Sequence, residues 1–128
     1  MEPNDLRYHQ EHEWVRVDGK QATIGISHFA QDALGDIVFI DLPKVGATVS
    51  AGQQIGEVES TKTTSTLYTP ISGKILKVNA DLKDHPDVVN SDPYGKGWMA
   101  VIDLSDPAQV DTLMTAEQYD AFLKTQQK

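Results

Sequence analysis

Residues 56 to 73 read GEVESTKTTSTLYTPISG and decide the fold expected for this chain. Before Lys62, Val58 alternates with Glu57 and Glu59, which is the period-two pattern of a half-buried strand. After Lys62, a second strand signal ends in the turn-forming sequence PISG. The stretch therefore predicts a hairpin of two short strands with Lys62 at its tip, where the amine is exposed to water.

Similar short strand signals lie on both sides of this hairpin and are separated by glycine or proline. They predict strands at 13–17, 22–26, 37–42, 55–60, 65–68, 74–78 and 98–104. The chain up to about residue 7 is expected to be a tail. Strands at this spacing are typical of a small β-sandwich or barrel. We expect a mainly β fold, a small flattened sandwich, and a chain length of 128 residues suits one domain.

A few short helices are expected beside the strands. Ser27 is a good N-cap for a helix that ends at Gly35, and a second short helix or irregular segment is expected within 79–90. Thr115 is expected to cap a C-terminal helix whose Tyr119, Phe122 and Leu123 recur at helical spacing. We expect that helix to bury an aromatic edge against the sheet.

The composition excludes several classes of function. The net charge of -8 repels phosphate groups, so neither nucleic acid nor an anionic membrane is an expected partner. The chain has no cysteine, so any redox sulfur must be supplied by an attached group. The polar N-terminus resembles neither a secretory signal nor a transit peptide, and no apolar run is long enough to span a membrane. We expect a soluble cytoplasmic protein, or one of the mitochondrial matrix if a presequence has been removed.

No pattern of an independent enzyme is present. His9 and His12 have a metal-like spacing, but their segment offers no obvious third ligand, and no metal site is expected. Ser, His and Asp all occur, yet no G-x-S-x-G nucleophile motif is found. We therefore expect a protein with no catalytic residues of its own.

The Lys62 hairpin resembles the attachment hairpin of biotinyl and lipoyl carrier domains. In those domains the lysine is required because a primary amine can form an amide bond with the carboxyl group of biotin or lipoic acid. Biotin carriers usually have Met on both sides of the lysine, whereas Thr61 and Thr63 stand here. The resemblance thus favours lipoate over biotin, and it implies the barrel-sandwich hybrid fold of such carriers, with a carrier core of about 22–104 inside a domain of 1–128.

Four segments extend the resemblance to the glycine cleavage H-protein family. They are HEW at 12–14, ATIGISHFAQDALGDIVFIDLP at 22–43, VESTKTTSTLYTPISG around Lys62 and VNSDPYGKGWM at 89–99. Their order and spacing cover nearly the whole chain and are highly specific. One departure is the run of threonines around the lysine, where the family usually has Val before it and small residues after it.

The resemblance implies a non-catalytic carrier of an aminomethyl group and electrons, with lipoate covalently attached to Lys62. The implied partners are glycine decarboxylase (P protein), aminomethyltransferase (T protein), dihydrolipoamide dehydrogenase (L protein), and a lipoate ligase or octanoyltransferase. Family members are thought to shelter the loaded arm in a surface cleft, and Glu13 in the HEW segment is a candidate for its wall. The alternative is a biotinyl carrier, another lipoyl carrier or a lipoate-relay module outside glycine catabolism.

Overall fold

The computed structural model describes residues 5–126, and within them nine strands form two antiparallel sheets. The strands are β1 (Arg7–Tyr8), β2 (Glu13–Asp18), β3 (Gln21–Ile26), β4 (Ile37–Asp41), β5 (Thr48–Val49), β6 (Gln54–Ser60), β7 (Thr64–Tyr68), β8 (Gly73–Val78) and β9 (Ala100–Leu104). One sheet has the order β1-β2-β3-β9-β8-β5, and the other has the order β4-β6-β7. The two sheets do not close into a barrel, so the expected flattened sandwich is confirmed.

Among the described residues, five short helical segments lie between the strands or after the last one. They are α1 (His28–Leu34), α2 (Val88–Ser91), α3 (Ala116–Gln126) and two 3₁₀ segments, Ala80–Lys83 and Pro107–Thr112. Ser27 caps α1 as predicted, because its side chain accepts a hydrogen bond from the backbone N–H of Ala30 at 3.2 Å. No helix in the described part of the chain is long and apolar enough to cross a membrane.

Buried apolar side chains form one cluster for each sheet. The first packs on the six-stranded sheet and includes Ile24, Ile75 and Ile102. The second lies under the three-stranded sheet and the short helices, and it includes Val58 and Leu67 from the two strands of the predicted hairpin. The alternation seen in the sequence is therefore real: Val58 is buried, whereas the acidic side chains on either side of it are exposed.

A third, aromatic cluster joins the two ends of the described chain. Tyr8 and Tyr119 are fully buried, and their rings stack with centroids 4.6 Å apart. The helix that carries Tyr119 begins with a capping box, in which the N–H of Gln118 donates to Thr115 Oγ1 and the N–H of Thr115 donates to Gln118 Oε1. The predicted burial of an aromatic edge by α3 is confirmed.

Some boundaries differ from the expectation. The predicted tail is wrong for residues 5–7, because Leu6 is buried and β1 pairs with β2, while residues 1–4 lie outside the described part of the chain. The strand expected from residue 98 begins at Ala100, since Trp98 follows directly on the turn at 93–97, where its N–H donates to the oxygen of Gly95. A pairing of two residues is too short to produce a periodic pattern, so β1 left no signal in the sequence.

Strand β4 is a free edge of the three-stranded sheet and is interrupted. Its pairing with β6 shifts register between Ile37 and Phe39, which leaves Val38 out of the ladder. Val38 and Phe39 are both about half exposed, at 49% and 52%. This bulge directly follows the segment on which the Lys62 loop rests.

Candidate functional site

The structure places Lys62 at the tip of the β6–β7 hairpin. The last strand pair is Glu59 opposite Thr64, so the turn contains little more than residues 60–63, and the Lys62 side chain is exposed. Ser60, which is buried, organises this turn through its side chain. Its Oγ accepts hydrogen bonds from the N–H groups of Lys62 at 3.3 Å and Thr63 at 3.1 Å. The backbone of the loop is thereby fixed while the lysine side chain is left outside.

The loop also rests on the segment between α1 and β4. The N–H of Thr61 donates to the backbone oxygen of Asp36 at 3.0 Å. Next to Asp36, Gly35 has φ 81° and ψ -150°, a conformation that only glycine adopts without strain. A Cβ at this position would lie 3.3 Å from Lys62 Cε and 3.9 Å from Nζ. The absence of a side chain at Gly35 therefore leaves room for the Lys62 stem.

The Lys62 amine is chemically available. Within the described residues the one ion pair is between His9 and Glu13, so no carboxylate neutralises or covers the Lys62 Nζ. An exposed primary amine on a fixed loop can be acylated once it loses its proton, and the enzyme that acylates it can reach it without unfolding the domain. This arrangement suits covalent attachment of a carboxylic acid.

Glu13 is fully buried and lies at the opposite end of β7 from Lys62. Its Oε1 is 2.6 Å from His9 Nδ1, and its Oε2 accepts from the N–H of Tyr68 at 3.2 Å. Burial raises the pKa of the Glu13 carboxyl above its ordinary value, and the contact with His9 opposes this rise. From Thr64 to Tyr68 the strand spans about 14 Å at 3.4 Å per residue. Lys62 thus lies just before the start of β7, and Glu13, from β2, binds the end of β7. The two side chains are not in contact.

A surface cavity of about 420 Å³ opens beside Glu13. His9 lines it, together with Pro70, Leu113 and Phe122, whereas Glu13 itself is absent from the lining. His9 thus contacts both the buried carboxylate and this cavity. From the sequence, His9 was considered only as a metal ligand, and no metal site was expected.

That metal interpretation finds no support in the geometry. His9 Nδ1 contacts Glu13, while His12 Nδ1 is hydrogen-bonded to the hydroxyl of Tyr119 at 2.7 Å. Across residues 5–126, no group of three or more His, Cys, Asp or Glu side chains is arranged to hold a metal ion. His9 therefore contacts the first residue of β2, and His12 connects the segment between β1 and β2 to α3.

The outer face of the three-stranded sheet is acidic. Asp41 is paired with Glu57, and the half-exposed Phe39 is paired with Glu59. None of these three acids forms an ion pair with another described residue. The face therefore presents uncompensated negative charge around one aromatic side chain, on the strands that lead to Lys62.

Three polar side chains at the site had not been identified from the sequence: Ser60, Gln31 and Asn90. Ser60 could have been noticed, because a serine before a tight loop often bonds to the next backbone N–H groups. Gln31 and Asn90 meet across 59 positions of sequence, which no local pattern reveals. Asn90 does lie in the VNSDPYGKGWM segment, but that segment gave it no role.

Two open antiparallel sheets with a lysine at a hairpin tip define a carrier domain of the biotinyl and lipoyl type. The sequence matches the family model described as Glycine cleavage H-protein over residues 6–126. The chain belongs to the glycine cleavage H-protein family.

Individual relatives agree with this assignment. A glycine cleavage system H protein of Brevibacillus brevis is 55% identical over 122 residues, which cover 95% of this chain and 97% of that protein. One of Anoxybacillus flavithermus is 57% identical over 121 residues, covering 94% and 95%. The crystal structure of a glycine cleavage system H protein from Mycobacterium marinum superposes with a TM-score of 0.88 at 42% identity, covering 95% of this chain and 98% of that one.

Proposed function

We propose that this protein is the lipoyl-bearing carrier of the glycine cleavage system, a non-catalytic subunit with lipoate attached to Lys62. The observation that carries the proposal is the exposed Lys62 amine on a loop that Ser60 and Asp36 fix, in a chain of this family. The carrier unit is proposed to be the single domain 1–128, with a core of about 22–104.

The residues present fit a lipoyl group. Amide formation removes the charge of Nζ, and no acid of the described chain is left unpaired by this, because none is paired with Lys62. When bound, the lipoyl group would supply the dithiolane sulfurs that the cysteine-free chain lacks, and would thereby carry the aminomethyl group and electrons. The tip that carries the amine is short and exposed, so partner active sites could reach it.

Glu13 is proposed to act where the loaded arm is sheltered. A substituent on Lys62 has to follow β7 toward Tyr68 to approach Glu13, whose carboxylate is held in place from two sides. A fixed carboxylate would favour a cationic aminomethyl amine over its neutral form and so slow its loss to water. His9 would admit or exclude such a group, because it contacts Glu13 and also lines the cavity.

The partners are proposed to be the P, T and L proteins of the system and a lipoate ligase or octanoyltransferase. The uncompensated acids around Phe39 support docking of partners with basic surfaces beside the Lys62 hairpin. Tethering the intermediate to one docked protein raises its effective concentration at each active site.

The decisive measurement is the intact mass of the protein purified from a host that lipoylates its own proteins. We expect a mass gain of one lipoyl or octanoyl group, located on Lys62 by peptide mapping. Lys62→Arg should abolish the gain and reduce reconstituted glycine decarboxylation to background, whereas Lys74→Arg, at another exposed lysine, should change neither. A wild-type chain that stays unmodified in such a host would contradict the proposal.

The same samples separate the alternative. A biotin carrier would bind streptavidin, and its binding would be lost in Lys62→Arg. A lipoyl protein that fails to support glycine decarboxylation with P, T and L proteins but transfers lipoate to other enzymes would indicate a relay module.

A further inference from the structure

The side chain of Asn90 joins both peptide groups that flank Asp36. Its Nδ2 donates to the backbone oxygen of Gly35 at 2.8 Å, and its Oδ1 accepts from the N–H of Ile37 at 3.0 Å. Asn90 lies on α2, far from the hairpin in sequence. The side-chain amide of Asn90 therefore fixes the backbone of the segment 35–37.

Gln31 fixes the orientation of that amide. The second hydrogen of Asn90 Nδ2 is donated to Gln31 Oε1 at 3.0 Å, and Gln31 Nε2 is 3.0 Å from Nδ1 of His28. Gln31 is only 6% exposed, so leaving its amide without partners would cost free energy. The network is consequently specified from α1 as well as from α2.

The network ends at the Lys62 loop. The backbone oxygen of Asp36 belongs to the same peptide group as the Ile37 N–H that Asn90 binds, and it accepts a hydrogen bond from the N–H of Thr61. Gly35, whose oxygen Asn90 holds, is the residue over which the Lys62 stem passes. A change in the Asn90 amide would therefore shift the Asp36 oxygen, which binds the loop backbone at Thr61. It would also shift Gly35, over which the Lys62 side chain passes.

We propose that Asn90, oriented by Gln31, is a positioning residue that fixes the Lys62 loop for acylation. The inference rests on the proposed role of Lys62. In that reaction Nζ forms an amide bond to the carbonyl carbon of an activated acyl donor and loses a proton, while AMP departs from an acyl adenylate or a thiol from a thioester. Misplacing a nucleophile lowers the rate of such a step even when docking is unchanged, because the reacting atoms meet in productive geometry less often.

The test compares Asn90→Asp with Ser91→Ala. Asn90→Asp keeps the shape and the acceptor for Ile37 but removes both hydrogens donated by Nδ2. Ser91→Ala is the matched control, because Ser91 lies on the same short helix and its hydroxyl bonds only to Val88 within that helix. Should Asn90→Asp fail to fold, Gln31→Ala removes the orienting acceptor instead.

Two measurements are made on unmodified protein. Hydrogen exchange should show the Thr61 amide exchanging about tenfold faster in Asn90→Asp, since two hydrogen bonds are lost, with the Val58 amide in β6 unchanged. Acylation by a lipoate ligase should lose about tenfold in kcat/KM, mainly in kcat. Ser91→Ala should match wild type in both.

The outcomes are separable. Unchanged Thr61 exchange in Asn90→Asp would overturn the proposal whatever the role of Lys62. Faster exchange with unchanged kcat would also overturn it, because the loop would then need no fixing. If wild type is not acylated at Lys62, the proposed function fails, and faster Thr61 exchange would still establish Asn90 as the residue that fixes the loop.

Discussion

Replacing Glu13 separates the effect of its charge from that of its hydrogen bonds. Glu13→Ala removes a fully buried carboxylate. The N–H of Tyr68 and the ring of His9 then lack their hydrogen-bond partner. Losing these two hydrogen bonds costs about 1–3 kcal/mol, because the polar groups that made them are left unpaired. The cavity left by the shortened side chain adds about 1 kcal/mol. We expect the free energy of unfolding to fall by roughly 3 kcal/mol in total.

Glu13→Gln should behave differently at neutral pH. The amide oxygen can still accept from Tyr68, and its nitrogen can donate to a neutral His9. Burial raises the pKa of Glu13 above 4.5, the ordinary pKa that the carboxyl has in the unfolded chain. The folded protein therefore binds this proton more tightly than the unfolded chain does. Stability is therefore lost as pH rises through the folded pKa, and a neutral side chain escapes that loss. We expect Glu13→Gln to stay within about 0.5 kcal/mol of wild type at pH 7, or above it.

Equilibrium urea unfolding of the unmodified protein measures the free energy of unfolding of wild type and of the two variants. The slopes of the three transitions must be equal for the comparison to hold. Two results would refute the reasoning. A cost below about 0.5 kcal/mol for Glu13→Ala would show that the carboxylate is not the buried partner described. A Glu13→Gln variant as unstable as Glu13→Ala would show that the charge, through His9, carries the stability.

Three further changes have defined expectations. In the variant His12→Asn, the new residue tolerates the φ of 77° at this position. Because burial lowers the pKa of His12 below 6.5, wild type should lose unfolding free energy relative to the variant as pH falls from about 7.5 to about 5.5. A difference that stays constant over this pH range would contradict the expectation. Gly25→Ala places a Cβ 2.7 Å from the Trp14 indole and should cost about 1–3 kcal/mol by thermal unfolding, so an unchanged Tm would be inconsistent with this packing. Affinity for the aminomethyltransferase should weaken from low to moderate salt, and salt-independent binding would rule out docking through the acidic face.

Local patterns were sufficient to predict the hairpin and its lysine. Val58 between two glutamates predicts a strand with one buried face, and the PISG turn closes the second strand, so the position of Lys62 follows from nearest neighbours alone. The cap at Ser27 was readable for the same reason. Such features depend on residues within about five positions of each other.

The remaining parts depend on contacts between distant segments. Asn90 meets Gly35 across 55 positions, and Glu13 meets Tyr68 across the same separation. Neither contact changes the local hydrophobic period, so the sequence indicated Glu13 only by resemblance and did not indicate Asn90. The two-residue strands β1 and β5 exist because longer neighbours offer them an edge.

The interrupted edge at β4 also affects how the protein behaves at high concentration. A strand with one free edge and two half-exposed apolar side chains, Val38 and Phe39, would ordinarily pair with a strand of a second molecule. The register shift between Ile37 and Phe39 breaks the row of backbone donors and acceptors, and Asp36 and Asp41 place like charges at either end. We therefore expect like charge and the broken ladder to disfavour pairing of two copies along this edge, so that it resists intermolecular β-aggregation.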